Sequence, residues 1–218
     1  MDERSFPEML LLLATAATGG QPGLWRVELG RGLAGAILVE LALSGRIAFS
    51  PGPDGKVVVR DADRVGDPAA DVCLGRLLFE DRAHSPRAWV ERLADRALDE
   101  TLTRLLDRGD LVSVTTRVLG IPSGRRCSGE PRRVAEAAAR MRAVVDHGTR
   151  PDPRTAALIG ILCAMGLEHA VFPGLPRVTA RARLDRLTAG PDLAVVSTAV
   201  SAVTASLDAT ATALACVG

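Results

Sequence analysis

Few residues in this chain stand at spacings that could do chemistry. Asp61 and Asp63 lie two apart, so on a strand both carboxylates would face the same way and could hold a divalent cation. Arg60 and Arg64 flank them, and exposed acids in such company more readily form a solvated charge cluster. Gly52-Pro53-Asp54-Gly55-Lys56 contains a Gly-Lys pair, but it is followed by Val57 and lacks the spacing of a phosphate loop, so it reads as a turn. Cys73, Cys127, Cys163 and Cys216 are far apart, with no Cys-x-x-Cys pair. They read as free buried thiols rather than zinc ligands. His84, His147 and His169 fall in separate elements near helix ends, where an imidazolium suits the terminus. No catalytic residue, metal site or cofactor motif is nominated.

Two features suit binding instead. Trp25, one of two tryptophans, sits in a Gly/Pro loop and is followed by Arg26 and Arg31. An indole at headgroup level with guanidinium groups beside it fits a membrane interface; a tryptophan folded back on the core is the competing reading. Trp89, within an amphipathic helix, reads as core. The second feature is the order Arg117, Val118-Leu119-Gly120-Ile121-Pro122, Arg125-Arg126 at the tip of an expected hairpin. An apolar tip carrying Leu119 and Ile121 can dip into lipid while its arginines stay among anionic headgroups, each worth about 1 kcal/mol there. The same tip would also suit packing on a second copy of the chain, making a homo-oligomer. From Arg117 to Arg154 nine arginines stand against Glu130, Glu136, Asp146 and Asp152.

These features need a scaffold, and the composition supplies one. The 218 residues are 47% hydrophobic and 24% charged, enough to bury a core without staples, and the expectation is a single compact domain over residues 1–218. A net charge of +1 removes the bulk electrostatic case for a nucleic-acid binder. The apolar run from Met9 to Ala17 follows acids rather than a basic stretch, unlike a signal peptide. The stretch from Leu193 to Val217 is long enough to cross a bilayer, yet it is rich in Ala, Ser and Thr and carries Asp208, as a packed helix would. The expected place is the cytoplasm, associated with a membrane from outside.

The elements read as mainly α. Ser5 and Glu8 form a capping-box pattern opening a helix to Ala17. RGLAGAILVELALS, from Arg31 to Ser44, is apolar nearly all round and predicts a central hydrophobic helix surrounded by amphipathic ones, with Gly45 closing it. Short runs at 46–50 and 56–60 predict one small β-hairpin. Helices follow near Pro68 to Glu80, from Ser85-Pro86 through Leu93, and from about Leu98 to Arg108. Leu111 to Leu119 predicts the first arm of a second small hairpin, whose tip would hold Ile121, Pro122, Ser123 and Gly124. Helices from Pro131 to His147, from Asp152-Pro153 to Met165, from Pro176 to Leu187 and from Leu193 onward complete the chain.

The succession EMLLLLATAATGG, GLAGAILVELALSGRIAF, RVGDPAADVCLGRL, PRAWVERLADRALDETLTRLLDRGDL, TTRVLGIPSGRR and PDPRTAALIGILCAMGLEHAVF resembles the Golgi phosphoprotein 3 family in its bacterial, high-GC form, over nearly the whole chain. The resemblance implies a mainly helical domain that binds phosphatidylinositol 4-phosphate at a membrane surface. It also implies an adaptor for a protein client, without enzymatic activity, as eukaryotic members retain glycosyltransferases. The family's headgroup pocket uses a loop tryptophan, an arginine at the start of the central helix, and two arginines on the helix before an Arg-Gly-x-Leu turn. Trp25 matches the first; the other three fall on Ala34 and near Asp95 and Leu98. A phosphomonoester carries nearly two charges and calls for several guanidinium donors. Arg31, Arg92 and Arg96 are the candidate substitutes, Arg92 and Arg96 lying one helical turn apart. The expected ligand is therefore an anionic phospholipid, with a phosphatidylinositol phosphate as one candidate and without the full arginine set that would make it the preferred one.

Two other classes remain open at this point. The helix LDETLTRLLDRG, the hairpin and Arg132-Arg133 together resemble a winged helix-turn-helix, in which the hairpin would touch DNA phosphates. Asp99, Glu100 and Asp107 on that helix make a poor phosphate surface. An enzyme whose pocket assembles from scattered residues would instead show a polar cleft with convergent titratable groups.

Overall fold

The computed structural model describes residues 5–19, 26–52, 55–118, 121–129, 131–174, 176, 178–179, 182–183, 186, 190 and 193–215; for 113–118, 121–128, 170, 210–211 and 213–215 the description is of the backbone. It is mainly helical. The first helix, α1 (Phe6–Ala17), starts where the Ser5 N–H donates to Glu8 Oε2 at 3.2 Å. The central helix, α2 (Arg26–Leu43), begins five residues ahead of the expected Arg31, because Arg26 to Gly30 contains no breaker apart from its last glycine.

Burial on every side makes α2 the centre. Leu33, Ala34, Ala36, Ile37, Leu38, Val39 and Leu41 have no exposed surface, so a neighbour must cover each flank. Burying each of the large aliphatic side chains contributes about 1.5–3 kcal/mol. α1 and three later helices cover those flanks, the three being α4 (Pro86–Asp107), α6 (Pro153–Ala164) and α8 (Ala194–Ala215). All three run antiparallel to α2. Arg26 meets Asp99 while Gly30 meets Ala94; Gly32 meets Met165 while Glu40 meets Arg154; Arg31 meets Ser206 while Gly35 meets Val203. At Gly30 an added Cβ would stand 2.8 Å from the Ala94 carbonyl oxygen, and at Gly35 it would overlap the Val203 side chain. Glycine there lets α4 and α8 come close to the α2 backbone.

Two of the surrounding elements differ from expectation. The segments separated around Leu93 and Leu98 form one helix of 22 residues, α4, since Ala94, Asp95, Arg96 and Ala97 between them offer no stop signal. Its start matches: the Ser85 hydroxyl accepts the Ala88 N–H, with Pro86 at the first helical position. α6 is buried from Ala156 through Ala164, so it is a second all-round apolar helix and not an amphipathic one. Its cap is Asp152, which accepts the N–H groups of Arg154 and Thr155.

The remaining elements frame this core. β1 (Ile47–Phe49) pairs antiparallel with β2 (Val57–Val59), as expected. α3 (Pro68–Phe79) is capped by Asp67, whose Oδ1 accepts the Ala70 N–H. β3 (Leu111–Val118) pairs antiparallel with β4 (Ile121–Gly129), longer arms than a small hairpin would have, with an irregularity between Thr116 and Arg117. Its base is fixed to the body, where Leu111 is buried and Gly129 lies against Leu12. α5 (Pro131–His147) and the short α7 (Glu168–Val171) complete the described elements. The helix expected from Pro176 to Leu187 falls largely outside the described residues.

Candidate functional site

Trp25 and Leu119 lie outside the described residues. What immediately follows Trp25 is well placed: Arg26 opens α2, exposed, with Nη2 2.7 Å from Asp99 Oδ1 on α4. Arg26 therefore sets the start of α2 against the middle of α4, at the exposed Asp99.

Arg92 and Arg96 stand exposed on successive turns of α4. Arg92 Nη1 lies 3.5 Å from Glu80 Oε2, and Arg96 Nε 3.4 Å from Glu100 Oε1. Exposed pairs at these distances are worth about 0–1 kcal/mol, so both guanidinium groups can be turned to a stronger anion at small cost. Arg31 is placed differently. It is half-buried, and its Nη1 donates to the Ser206 carbonyl at 2.7 Å, tying α8 to α2. The three candidate substitutes are thus divided: Arg92 and Arg96 stay on the surface of α4, paired with Glu80 just after α3 and with Glu100 one turn along α4, while Arg31 reaches α8. Of the other positions, Ala34 and Leu98 are core residues and Asp95 is exposed.

The register of the second hairpin corrects the position of its tip. Val118 pairs with Ile121 and Arg117 with Pro122, so residues 121–124 belong to β4 rather than to the turn. Arg125 and Arg126 pair with Thr115 and Val114 further down the ribbon. Two arginines counted in the basic stretch are held by the body: Arg142 Nε donates to the Val171 carbonyl, and Arg154 Nη2 lies 2.7 Å from Glu40 Oε1. Arg132 pairs with Glu136, and Arg140 is exposed on α5.

The winged-helix reading loses its reading head. Leu98, Thr101 and Leu105 of the would-be recognition helix are buried. Its two arginines are turned inward: Arg104 Nε is 2.6 Å from Glu8 Oε1, and Arg108 Nη2 is 2.7 Å from Glu8 Oε2. This triad escaped the sequence reading, which gave Glu8 only a capping role. A carboxylate inside the apolar run Phe6 to Ala14, with Arg104 and Arg108 at helical spacing elsewhere, was the available signal.

The weaker chemical candidates resolve as structure. Asp61 pairs with Arg46 and accepts the Asp63 N–H, and no cluster of metal-ligating side chains occurs among the described residues. Cys73 and Cys163 are buried and belong to no disulfide. Burial pushes the Cys73 thiol up to about 12, reinforced by the charge of Asp67, which leaves it an inert thiol. His84 Nε2 lies 3.2 Å from Glu80 Oε1 and meets the buried Trp89 edge-on at 5.5 Å between ring centres. The hydrogen bond with His84, joined by the charge of Arg92, holds the Glu80 carboxyl below its usual range against the opposing effect of desolvation.

No described helix is long and apolar enough to cross a membrane. No curated protein matches the chain. The family model for Golgi phosphoprotein 3 (GPP34) matches residues 6–210, from the first residue of α1 into α8. With the central apolar helix and the segment order in place across that whole span, the chain belongs to the Golgi phosphoprotein 3 family.

Proposed function

We propose that this chain is a peripheral membrane adaptor that rests on anionic lipid headgroups from the cytoplasmic side, holds a protein client and transforms no molecule. The observation that supports it most directly is the pair Arg92 and Arg96. They are exposed, weakly paired and one turn apart, on the same helix that receives the chain just after Trp25. Arg117, Arg125 and Arg126, on a ribbon anchored at its base, supply a second basic region. Family membership supports the same reading.

The headgroup preference follows from what is missing. By the resemblance the family's three pocket arginines fall on Ala34 and near Asp95 and Leu98, two of them core residues and one an exposed acid, so the attraction to a phosphomonoester is general rather than specific. Cosedimentation with vesicles of phosphatidylcholine alone, with phosphatidylserine, or with phosphatidylinositol 4-phosphate at matched charge tests both parts. Binding to the two anionic vesicles alike, and not to the neutral ones, is expected. Equal recovery from all three would end the lipid reading, and a strong preference for the phosphoinositide would end the loss of specificity.

A further inference from the structure

The corner where α3 ends carries the most exposed large apolar side chain among the described residues. Phe79 is 91% exposed and its neighbour Leu78 46%. The flank beside them is open, since a Cβ added at Gly75, one turn back, would meet nothing within 4 Å. Nothing in the fold asks for an aromatic ring here, and leaving it in water forgoes the free energy its burial would contribute.

The ring stands at a defined place. Glu80, the residue after it, is bonded to His84 just ahead of α4 and lies 3.5 Å from Arg92, so the end of α3 sits beside the first of the two candidate headgroup arginines. Arg76, three residues before Phe79 on the helix, and Arg82, three after it, are exposed and make no ion pair among the described residues. Asp81 is the one exposed acid between them, and Glu80 is offset by Arg92, which leaves the corner slightly basic. A protruding aromatic and a leucine among unpaired guanidinium groups have the chemistry of a shallow bilayer anchor: apolar atoms enter the acyl boundary and the cations remain with phosphate and carboxylate headgroups.

We infer that Phe79 and Leu78 form a wedge that inserts into an anionic bilayer, with Arg76 and Arg82 as its headgroup cations. This rests on the lipid-binding reading above and adds the hydrophobic contact which that reading lacks among its described residues. The wedge and the Arg92–Arg96 face join through Glu80, so one edge of the molecule carries both.

The test compares wild type, Phe79→Ser and Phe79→Trp on vesicles of phosphatidylcholine with phosphatidylserine, alongside thermal unfolding and light scattering. Phe79→Ser should bind about ten-fold more weakly with an unchanged unfolding midpoint, the loss representing roughly half of a phenylalanine's burial. Phe79→Trp should bind as wild type does, and acyl-brominated phosphatidylcholine should quench its added fluorescence. Equal binding by wild type and Phe79→Ser overturns the wedge and leaves the lipid reading standing. Failure of wild type to bind any anionic vesicle removes both. A change of mass in Phe79→Ser with binding intact also overturns the wedge, assigning the corner to a second copy of the chain.

Discussion

Glu8 Oε1 lies 2.6 Å from Arg104 Nε, and the carboxylate making this contact is sealed inside the molecule, 2% exposed, while the arginine is about one-third exposed. The asymmetry gives the triad of Glu8, Arg104 and Arg108 a direction. Removing both arginines strands a buried anion; removing the anion frees two arginines that can reach water. The double variant Arg104→Ala, Arg108→Ala should lose about 3–5 kcal/mol in urea unfolding, and Glu8→Gln only about 1–2 kcal/mol. Equal losses would mean that the carboxylate is not buried as described.

The glycines of the helical core should respond in opposite directions. Gly30→Ala drives a methyl against the Ala94 carbonyl of α4, a backbone atom that cannot turn aside, and should cost about 1–3 kcal/mol. Gly75→Ala places the same methyl in open space on α3 and should stabilise by about 0.5–1 kcal/mol. Denaturation midpoints of the two variants report both.

Arg31 and Arg92 should separate stability from binding. Arg31→Ala removes the donor to the Ser206 carbonyl and should lower the unfolding midpoint. Arg92→Ala and Arg96→Ala break only weak exposed pairs, so both should fold as wild type and each lose about five-fold in binding to phosphatidylserine vesicles, more at low salt than at high. Unfolding of Arg92→Ala at a lower temperature, with binding unchanged, would reverse the assignment.

Cys73 should be silent to thiol reagents in the native protein. Its pKa of about 12 leaves almost no thiolate near neutral pH, and burial shields the sulfur. In the unfolded chain the thiol ionises near its ordinary value of 9.0, so from about there upward the unfolded state binds fewer protons and stability falls as pH rises toward 12. Mass spectrometry after iodoacetamide treatment should find Cys73 modified only in denaturant.

Asp152 should matter at the other end of the scale. Burial raises its pKa, but hydrogen bonds from the Thr155 hydroxyl and from the Thr155 and Arg154 N–H groups outweigh it, so the folded pKa is lowered. Its contribution is present above the ordinary value of 3.8 and is lost as pH falls through the lower folded one. Asp152→Ala should cost about 1 kcal/mol at neutral pH and nothing in strong acid.

Much of this was legible in single segments. The caps Ser85 and Asp152 are local events between residues two or three apart, and the β-branched run Val57 to Val59 needs only its neighbour strand. The central position of α2 was equally legible, because a helix apolar all round has no stable place except among others. The hairpin tip was misplaced because Pro122 and Gly124 are turn residues by habit, and only pairing across the ribbon shows them inside a strand.

The amino-acid order by itself determined which stretches coil, where the capped ones start and which surfaces must leave water, since propensity, capping and apolar period act over a few residues. It also carried the family, through the succession of those stretches. Tertiary structure alone decided what each charge does. Arg31 and Arg154 became ties between helices, Arg104 and Arg108 turned inward to Glu8, and Arg92 and Arg96 stayed outside. A guanidinium group is long and reaches whichever acceptor the packing brings near, and that acceptor is often scores of residues away along the chain.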